Sequence, residues 1–389
     1  MLIAQVVRSA GHGGIETHVY ELICACIDAG HRVALISLAD AKVDKRFRDL
    51  GIEVLTLNDT MGMSGKSLMN VFALSRALKA LKPDVVHSHG TRPVFAGPIA
   101  AHLAGIKNVV TTIHNSYRLM SIRDDGSSDR KLLLAGKVIY LSGAALSRSV
   151  ITDADWLAEE VKGLAKGIPF LGKRLSRKLS TIHIGIDSGL YGRSPDEGFR
   201  EKYGIGKRTV VIGAVSRLDE PKKGIGVLLR SARILKDRGV DFKLLIVGDG
   251  DSKKKLVRLA DELGLNDKVV FFGFWKDLPD ILGKFDVFVL PSLSEGFPIV
   301  NLEAMASSLP VVSTDVGGVS EAVRDGYNGK LVPPGDPAPL AEALFELASG
   351  PERAREMGVR GRKMVESSFR KKELLDRIIA LYGPDRGNR

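Results

Sequence analysis

Residues 290–306 read LPSLSEGFPIVNLEAMA, and this stretch decides how the rest of the chain is interpreted. An apolar run that ends at Leu290 predicts a buried parallel strand, and the Ser-rich residues after it predict a loop. Pro298 suits the first turn of a following helix, where a missing N–H is tolerated. Glu295 is then expected on the loop, and Glu303 is expected inside the helix, one to two turns from its start. The ordinary alternative is that Glu295 caps the helix and that Glu303 is solvated on its surface.

The start of this predicted helix offers a site for an anion. Amide groups near Phe297, Ile299 and Val300 are expected to point outward at the positive end of the helix dipole. With the carboxylates of Glu295 and Glu303 at either side, they would form a cradle suited to a phosphorylated sugar.

The longer stretch SEGFPIVNLEAMASSLPVVSTDVGGVSEAV, residues 294–323, closely resembles the signature of glycosyltransferase family 4. The spacing of Glu295 and Glu303, the flanking Gly296 and Phe297, and the later Pro310 all agree with that signature. The resemblance is dense over residues 209–335 and sparse before them. It implies the GT-B architecture, an α/β fold of two Rossmann-like domains facing across a cleft. It also implies a retaining enzyme that uses a nucleoside diphosphate sugar.

Length and the order of segments support two domains. At 389 residues the chain is long enough for two cores, and alternating strand and helix patterns predict parallel sheets covered by helices. We expect an N-terminal acceptor-side domain over residues 1–187, a linker over 188–208, and a nucleotide-sugar-binding domain over 209–366. By resemblance, a C-terminal helix within 367–389 crosses back to the N-terminal domain.

Composition narrows the partners and the compartment. The net charge of +11 favours an anionic partner, but aromatic residues are only 6% and no nucleic-acid-binding motif is present, so nucleic acid is not expected. Cys24 and Cys26 lie two apart on a predicted helix, cannot bridge easily, and fit a reducing compartment. The chain opens directly into a strand at Leu2–Val7, and no apolar run reaches membrane-spanning length. A cytoplasmic protein is therefore expected.

A basic and apolar segment over residues 162–178 raises the possibility of a membrane contact. Its six cations are Lys162, Lys166, Lys173, Arg174, Arg177 and Lys178. Leucine, isoleucine and phenylalanine are interleaved with them, so one hypothesis is that the segment rests on an anionic leaflet, peripherally at the inner membrane. The alternative is a solvated loop and helix face.

Two cations follow the first predicted strand of the second domain. Arg217 and Lys223, in SRLDEPKKG, would neutralise the charge that develops on a departing diphosphate. Exposed loop cations are the ordinary alternative. The family's Arg-then-Lys pair before a Gly falls on these two residues, and Lys222 is the alternative position if the register shifts by one.

Glycines and one histidine complete the predicted site. Gly13 and Gly14 follow the first strand, where bare backbone can approach a diphosphate or sugar, although a tight turn also needs glycine. The resemblance implies that His114 lies near the donor sugar and positions it. Many relatives have Asp at the next position, whereas this chain has Asn115, so a carboxylate–histidine pair there is in doubt.

Gly248 ends another predicted strand and would let a nucleotide lie close, and by resemblance the backbone near Phe274 reads the base. Phe272 is expected in the core. The sequence predicts a set of substrate-binding residues: Gly13, Gly14, Gly248, Phe274, Gly296, Phe297, Pro298, Ile299, Val300 and Glu303. The predicted catalytic residues are Glu295, Arg217, Lys223 and His114.

No metal site is expected. The Asp-x-Asp sequences at Asp153–Asp155 and Asp249–Asp251 stand at predicted helix starts, where capping explains them. The remaining histidines are interpreted as structural or surface residues. His87 and His89 end a strand but have no carboxylate or cysteine companion in sequence.

These observations predict a metal-independent glycosyltransferase without a cofactor, which takes a UDP- or GDP-sugar donor and a glycan, lipid-linked or small-molecule acceptor with a hydroxyl. Two alternatives stay open. A GT-B epimerase or phosphorylase would use the same cleft, and a non-catalytic protein that binds sugar nucleotides or polyanions would explain the charge. An NAD dehydrogenase is disfavoured because the fingerprint glycines are incomplete.

Overall fold

The computed structural model describes residues 1–11, 13–39, 43–57, 67–117, 137, 140–166, 168–193 and 196–383. They divide into two compact units, Met1–Ile184 with Lys372–Arg389, and Gly185–Lys371. Each unit contains one parallel sheet with helices, so the α/β class and the parallel strands are confirmed. Of the helix that the sequence predicts across residues 132–146, residues 137 and 140–146 are helical, and the others lie outside the described residues.

The first unit is built on seven strands in the order β3-β2-β1-β4-β5-β6-β7. The strands are β1 (Leu2–Val7), β2 (Arg32–Ser37), β3 (Glu53–Thr56), β4 (Val85–His89), β5 (Val109–Ile113), β6 (Ser149–Thr152) and β7 (Leu179–Thr181). The helices are α1 (Gly14–Asp28), α2 (Lys45–Asp49), α3 (Ser67–Leu81), α4 (Thr91–Leu103), α5 (Asp155–Ala165) and α6 (Pro169–Ser176).

The register of the first sheet brings polar side chains of its central strands together. Gln5 of β1 lies beside His87 of β4, and His89 of β4 lies beside Thr112 of β5. Strands covered by helices on both faces are normally apolar throughout. Polar residues at these positions must therefore find hydrogen-bond partners inside the protein.

The C-terminal segment is part of the first unit's core. Leu374, Leu375 and Ile378 pack in one buried cluster with residues of β1 and α1. Tyr382 is fully buried in the same cluster, and the side chain of Asn108 donates a hydrogen bond of 2.9 Å to its carbonyl oxygen.

The second unit is built on six strands in the order β10-β9-β8-β11-β12-β13. The strands are β8 (Val210–Val215), β9 (Phe242–Val247), β10 (Val269–Gly273), β11 (Val287–Leu290), β12 (Val311–Thr314) and β13 (Gly329–Val332). After a short 3₁₀ turn (Ser188–Leu190), the helices are α7 (Glu197–Lys202), α8 (Ile225–Asp237), α9 (Lys253–Glu262), α10 (Leu278–Gly283), α11 (Ile299–Ala306), α12 (Val319–Ala322), α13 (Pro337–Ser349) and α14 (Pro351–Ser368). The last helix of the chain, α15 (Lys371–Ala380), belongs to the first unit from Lys372 onward.

The order of strands in each sheet reverses at one point, between β1 and β4 in the first unit and between β8 and β11 in the second. In open parallel sheets, the loops that leave two such neighbouring strands diverge and form a crevice at their carboxyl ends. The loops after β1 and β4, and after β8 and β11, are therefore the candidate ligand-binding loops.

Two predictions from composition can be compared with the structure. Cys24 is half-buried and Cys26 buried, and neither forms a disulfide, as their spacing predicts. Among the described residues, no helix combines the length and the apolar character that crossing a membrane requires.

Candidate active site

The loops after β8 and β11 bring together two residues that the sequence predicts to be catalytic. The Nζ atom of Lys223 lies 2.6 Å from Oε1 of Glu295, and the Ser292 hydroxyl donates to the same oxygen at 2.6 Å. The side chains of Lys223 and Glu295 are only 20% and 11% exposed. Because removing either partner would strand a partly buried charge, the pair is tightly coupled.

Backbone hydrogen bonds and exposure distinguish the two neighbouring lysines, Lys222 and Lys223. The carbonyl oxygen of Lys222 accepts a hydrogen bond of 2.8 Å from the amide of Leu293, and the Lys222 side chain is exposed. Lys223, one residue later, points to Glu295. Of the two candidate lysines, Lys223 therefore contacts Glu295, whereas the side chain of Lys222 is exposed.

Arg217 lies at the same strand end but is held differently. Its guanidinium is 74% exposed and pairs with Asp219 at 2.8 Å. An exposed pair of this kind contributes little stability. Arg217 can therefore exchange Asp219 for a stronger anion at small cost.

The start of α11 differs by one residue from the prediction. Pro298 is the N-cap, with φ −77° and ψ 104°, and the helix begins at Ile299 with Val300 next. Proline fits here because its fixed φ matches the cap and its missing N–H costs no helical bond. The amides of the first helical turn therefore remain the predicted anion-binding groups.

The residues just before α11 are fixed by packing. Phe297 is buried and its ring lies 5.8 Å from that of Phe369. The carbonyl oxygen of Gly296 accepts a hydrogen bond of 2.7 Å from the amide of Gly318. A Cβ atom on Gly317, whose φ is +58°, would lie 2.1 Å from the carbonyl oxygen of Glu295. The loop that carries Glu295 is thus held in place by backbone contacts.

Glu303 is the fifth residue of α11, inside the helix as predicted. Its Oε1 accepts a hydrogen bond of 3.0 Å from the hydroxyl of Tyr191. Arg362 of α14 holds this tyrosine by donating to the carbonyl oxygen of Tyr191 at 2.9 Å and to that of Ala306 at 2.7 Å. Sequence analysis missed Tyr191, because it falls in the predicted linker and belongs to no motif.

Gly248 and Phe274 take very different positions. Gly248 has φ +134°, and a Cβ atom there would lie 1.8 Å from the carbonyl oxygen of Ser216. Close contact between two backbone segments therefore requires glycine at this position, independently of any nucleotide. Phe274 is 71% exposed, whereas Phe272 is half-buried against Phe199 at a ring distance of 6.0 Å.

In the first unit, the glycine loop after β1 leads directly into α1. Gly13 is the N-cap and Gly14 the first helical residue. The Glu16 side chain folds back over Gly13, and its Oε1 accepts a hydrogen bond of 2.9 Å from the Ser9 hydroxyl. A Cβ atom on Gly13 would lie 2.4 Å from Glu16 Oε2, so a side chain there would displace a carboxylate from the helix start.

His114 has the carboxylate partner that its neighbour Asn115 put in doubt. The ring is buried, and its Nδ1 atom lies 3.0 Å from Oδ2 of Asp153. The capping interpretation of Asp153 is therefore wrong: Ala154 is the N-cap of α5, and no side chain caps that helix. Asp153 follows β6, which pairs with β5, and carboxyl ends of neighbouring parallel strands meet.

Four of the eight histidines form one buried cluster. The ring centroids of His87 and His89 are 3.9 Å apart, those of His89 and His114 are 5.6 Å apart, and His18 lies edge-on to His114 at 5.5 Å. Burial lowers the pKa of His18 to about 3, and holds the pKa of His87 and of His89 well below the usual range. The rings of His18, His87 and His89 are therefore neutral in the folded protein.

The capping interpretation of Asp249 is also wrong. Its Oδ1 accepts a hydrogen bond of 2.9 Å from the amide of Gly250, and its Oδ2 lies 3.3 Å from Nζ of Lys253. The N-cap of α9 is Ser252, which makes no side-chain cap bond. Asp249 thus stabilises its own loop and one lysine of the helix.

The basic segment over residues 162–178 presents fewer cations than its sequence suggests. Lys162 pairs with Glu159 at 2.7 Å, and Lys178 donates to the carbonyl oxygen of Ser147 at 2.7 Å. Leu164 and Leu175 are buried in the core. We call the four cations with exposed side chains the basic patch: Lys166, Lys173, Arg174 and Arg177.

Family models cover both units. Residues 12–188 match the model described as Glycosyltransferase Family 4, and residues 196–364 match the model described as Glycosyl transferases group 1. A putative glycosyltransferase of Bacillus subtilis, EpsD, is 33% identical over 301 residues, which is 75% of this chain and 74% of that protein. An N-acetyl-alpha-D-glucosaminyl L-malate synthase of Bacillus anthracis is 27% identical over 77% of this chain and 74% of its own length.

Solved structures share the fold. Alr3699/HepE of Anabaena, solved in complex with UDP and glucose, superposes with a TM-score of 0.80 at 21% identity, covering 97% of this chain and 98% of its own. WaaG, a glycosyltransferase involved in lipopolysaccharide biosynthesis, superposes with a TM-score of 0.75 at 17% identity over 100% of both chains. Together with the family models, these likenesses show that the chain is a group 1 glycosyltransferase with the GT-B fold, and that it belongs to glycosyltransferase family 4.

Proposed function

We propose that the protein transfers a sugar from a nucleoside diphosphate sugar to a hydroxyl group of an acceptor, with retention of the anomeric configuration and without a metal ion. The observation that carries this proposal is the Lys223–Glu295 pair at the switch point of the second sheet. It offers one cation for the diphosphate and one carboxylate for a hydroxyl of the donor sugar, side by side.

Charge neutralisation by the second unit is the core of the proposed mechanism. The bond between the anomeric carbon and the diphosphate oxygen breaks, and negative charge grows on that oxygen. Lys223 carries three N–H donors, so it can bridge Glu295 and a phosphate. Arg217, released from Asp219, and the first amides of α11 supply the remaining positive potential.

The acceptor oxygen forms the new bond on the face that the diphosphate leaves. The acceptor's proton moves to the departing phosphate oxygen, so no protein nucleophile is needed. Glu303, held by Tyr191, is assigned to the ribose hydroxyls, and His114 is assigned to positioning the sugar.

The proposed metal independence is supported by the first aspartate of each Asp-x-Asp sequence, which has a partner within the protein. Asp153 bonds His114, and Asp249 bonds a loop amide and Lys253. These carboxylates have structural partners, and the diphosphate charge is matched by side-chain cations.

For the donor we propose a UDP-sugar first and a GDP-sugar second. HepE was solved with UDP, and a GDP-mannose-dependent phosphatidylinositol monomannoside mannosyltransferase of Mycolicibacterium smegmatis is 37% identical over 198 residues. For the acceptor we propose a glycan or lipid-linked molecule in cell-surface glycan synthesis, with small molecules as the alternative. The basic patch supports peripheral contact with the anionic cytoplasmic leaflet.

A donor screen tests the proposal. Thermal stabilisation by UDP-glucose, UDP-galactose, UDP-N-acetylglucosamine and GDP-mannose is measured first, and hydrolysis and transfer are then followed for each donor that stabilises. We expect Lys223→Ala and Glu295→Ala each to lower turnover by roughly 100-fold. Lys222→Ala is the matched control and should keep normal turnover.

Three outcomes would contradict the proposal. Near-normal rates in both variants would refute the assigned roles. Epimerised sugar nucleotide, or a strict need for inorganic phosphate, would indicate an epimerase or phosphorylase. Tight donor binding with neither hydrolysis nor transfer would indicate a binding protein.

A further inference from the structure

Seven buried side chains of the first unit form one continuous chain of hydrogen bonds. In order they are Asp153, His114, His89, Gln5, Tyr382, His87 and Thr112. Successive donor–acceptor distances are 3.0, 3.4, 2.7, 3.3, 2.6 and 2.8 Å. We call this chain the relay.

The side-chain amide of Gln5 sets the direction of the relay. It presents its oxygen to Nε2 of His89 and its NH₂ group to the Tyr382 hydroxyl. An amide oxygen only accepts, so Nε2 of His89 must carry a proton. The amide NH₂ only donates, so the lone pair of the Tyr382 oxygen is the acceptor.

The direction continues from Tyr382 to the far end. Its oxygen accepts from Gln5, so its own proton goes to Nδ1 of His87, 2.6 Å away. A neutral His87 then carries its proton on Nε2 and donates to the Thr112 hydroxyl. Every hydrogen bond from Gln5 to Thr112 is therefore donated in the same direction, towards Thr112.

The same logic fixes the other end. A neutral His89 with a proton on Nε2 must accept at Nδ1, so Nε2 of His114 must donate to it. The contact between Nδ1 of His114 and Oδ2 of Asp153 then needs a second proton, on one atom or the other. The Asp153–His114 pair therefore holds two protons and is electrically neutral as a whole.

We propose that Asp153 and Tyr382 are positioning residues for His114. Through the relay they keep a proton on Nε2 of His114, which donates to His89, and a further proton between Nδ1 and Asp153, so that the protonation and the orientation of this ring are both fixed. The proposal rests on the proposed function only for the role of His114 in holding the substrate.

The surroundings of Asp153 support a neutral pair. Its second oxygen, Oδ1, is buried and makes no hydrogen bond to any described residue, which would be costly for a carboxylate. Burial raises the pKa of the Asp153 carboxyl above its usual range, and the hydrogen bond from His114 opposes this only in part. The titratable groups outside the relay that act on Asp153 or on its histidines are His183 and His18, and Asp153 in turn acts on Tyr140.

Loss of one proton would reverse the relay. An ionised Asp153 would require Nδ1 of His114 to donate, which leaves Nε2 as an acceptor for His89. If the Gln5 amide then rotates, the hydrogen bonds of Tyr382 and His87 also reverse their direction. The two directions differ by one proton at Asp153, so a nitrogen spectrum tells them apart.

The direct test is nitrogen-15 NMR of the histidine rings in the full-length wild-type protein at neutral pH. We expect a protonated Nε2 in His114, His89 and His87 and an unprotonated Nδ1 in His89 and His87. A neutral His114 with a proton on Nδ1 and a bare Nε2 would overturn the proposal. This measurement needs no substrate, so it decides the proton positions even if no donor is turned over and the proposed function fails.

Two variants connect the relay to activity. In Asp153→Asn the amide NH₂ can donate to Nδ1 of His114, so the relay keeps its direction but loses its titratable proton. We expect the His114 spectrum to be retained and the step in the pH–rate profile that reports Asp153 to disappear. Tyr382→Phe removes the hydroxyl between Gln5 and His87, and we expect mixed proton positions on His89 and His114.

For Tyr382→Phe we expect kcat/KM to fall about 10-fold, as for other residues that orient a functional histidine. Tyr20→Phe removes a half-buried tyrosine hydroxyl of the same unit outside the relay and is the matched control. Circular dichroism shows whether each variant is folded. Unchanged nitrogen signals in a folded Tyr382→Phe, or a wild-type pH profile in a folded Asp153→Asn, would overturn the proposal.

Discussion

Acid is expected to destabilise the first unit much more than the second, because every histidine of the chain lies at or before residue 183. His18, His87 and His89 are buried and neutral in the folded state, and the pKa of His18 falls to about 3. In the unfolded chain an ordinary histidine has a pKa near 6.5. Between these values the unfolded state binds more protons, so stability is complete above about pH 6.5 and is lost as the pH falls.

The size of the loss follows from linkage. A pH of 5.0 lies about 1.5 units below the pKa of an unfolded histidine. Each histidine that stays neutral in the folded state therefore lowers the free energy of unfolding by roughly 2 kcal/mol at this pH. Three such rings give up to about 6 kcal/mol, which is comparable to the whole stability of many domains. Asp153 has the opposite effect on stability. Because its pKa is raised, the folded state holds a proton at pH values where the unfolded state has released it, so a lower pH restores part of the free energy of unfolding.

The chain provides its own reporters for this experiment. One tryptophan, Trp156, lies in the first unit and the other, Trp275, in the second. Trp275→Phe leaves a fluorescent probe of the first unit, and Trp156→Phe leaves a probe of the second. Urea denaturation of each variant at pH 7.5 and pH 5.0 gives the two free energies of unfolding separately.

We expect the Trp156 signal to report a large loss between pH 7.5 and pH 5.0 and the Trp275 signal to report a small one. A loss below about 2 kcal/mol in the first unit, the contribution of a single histidine, would refute the reasoning. An equal loss in both units would show that the acid effect does not come from the histidines.

Three further predictions concern other parts of the chain. Gly248→Ala should destabilise the second unit by about 3 kcal/mol because its Cβ atom would meet the Ser216 carbonyl; Gly239→Ala, with open space around it, should cost about 1 kcal/mol in the same Trp275 assay. Tyr191→Phe should weaken UDP binding about 10-fold by calorimetry, since Glu303 loses its hydrogen bond, and an unchanged affinity would contradict the assigned role of Glu303. Replacing the four cations of the basic patch by Gln should abolish co-sedimentation with anionic vesicles, and co-sedimentation that persists would exclude this surface.

The sequence predicted where the second unit's candidate site residues lie, because most of them belong to one local stretch. Residues 290–306 contain a strand, its loop and the next helix, so the positions of Glu295 and Glu303 follow from one stretch. The contact between Lys223 and Glu295 also follows, once β8 and β11 are recognised as parallel strands whose carboxyl ends meet. Within this stretch, α11 begins one residue later than the sequence predicted.

The first unit's polar network could not be predicted in the same way. Asp153 lies 39 residues from His114, and Tyr382 lies 295 residues from His87. No motif joins these positions, and the spatial order of strands cannot be deduced from spacing along the chain. Asp153 resembled a helix cap because it stands just before α5. His87 and His89 have no carboxylate or cysteine near them in the sequence, although they have polar partners in space.

Because Tyr382 follows the second unit in the sequence, the core of the first unit can be completed only after the second unit has been synthesised. Residues 1–184 are made first, yet their buried cluster lacks Leu374, Leu375 and Tyr382 until the second unit has been made. Until then Nδ1 of His87 lacks its hydrogen bond to the Tyr382 hydroxyl. A gene split between the two units would therefore yield an N-terminal product that needs residues 372–383 supplied as a separate peptide.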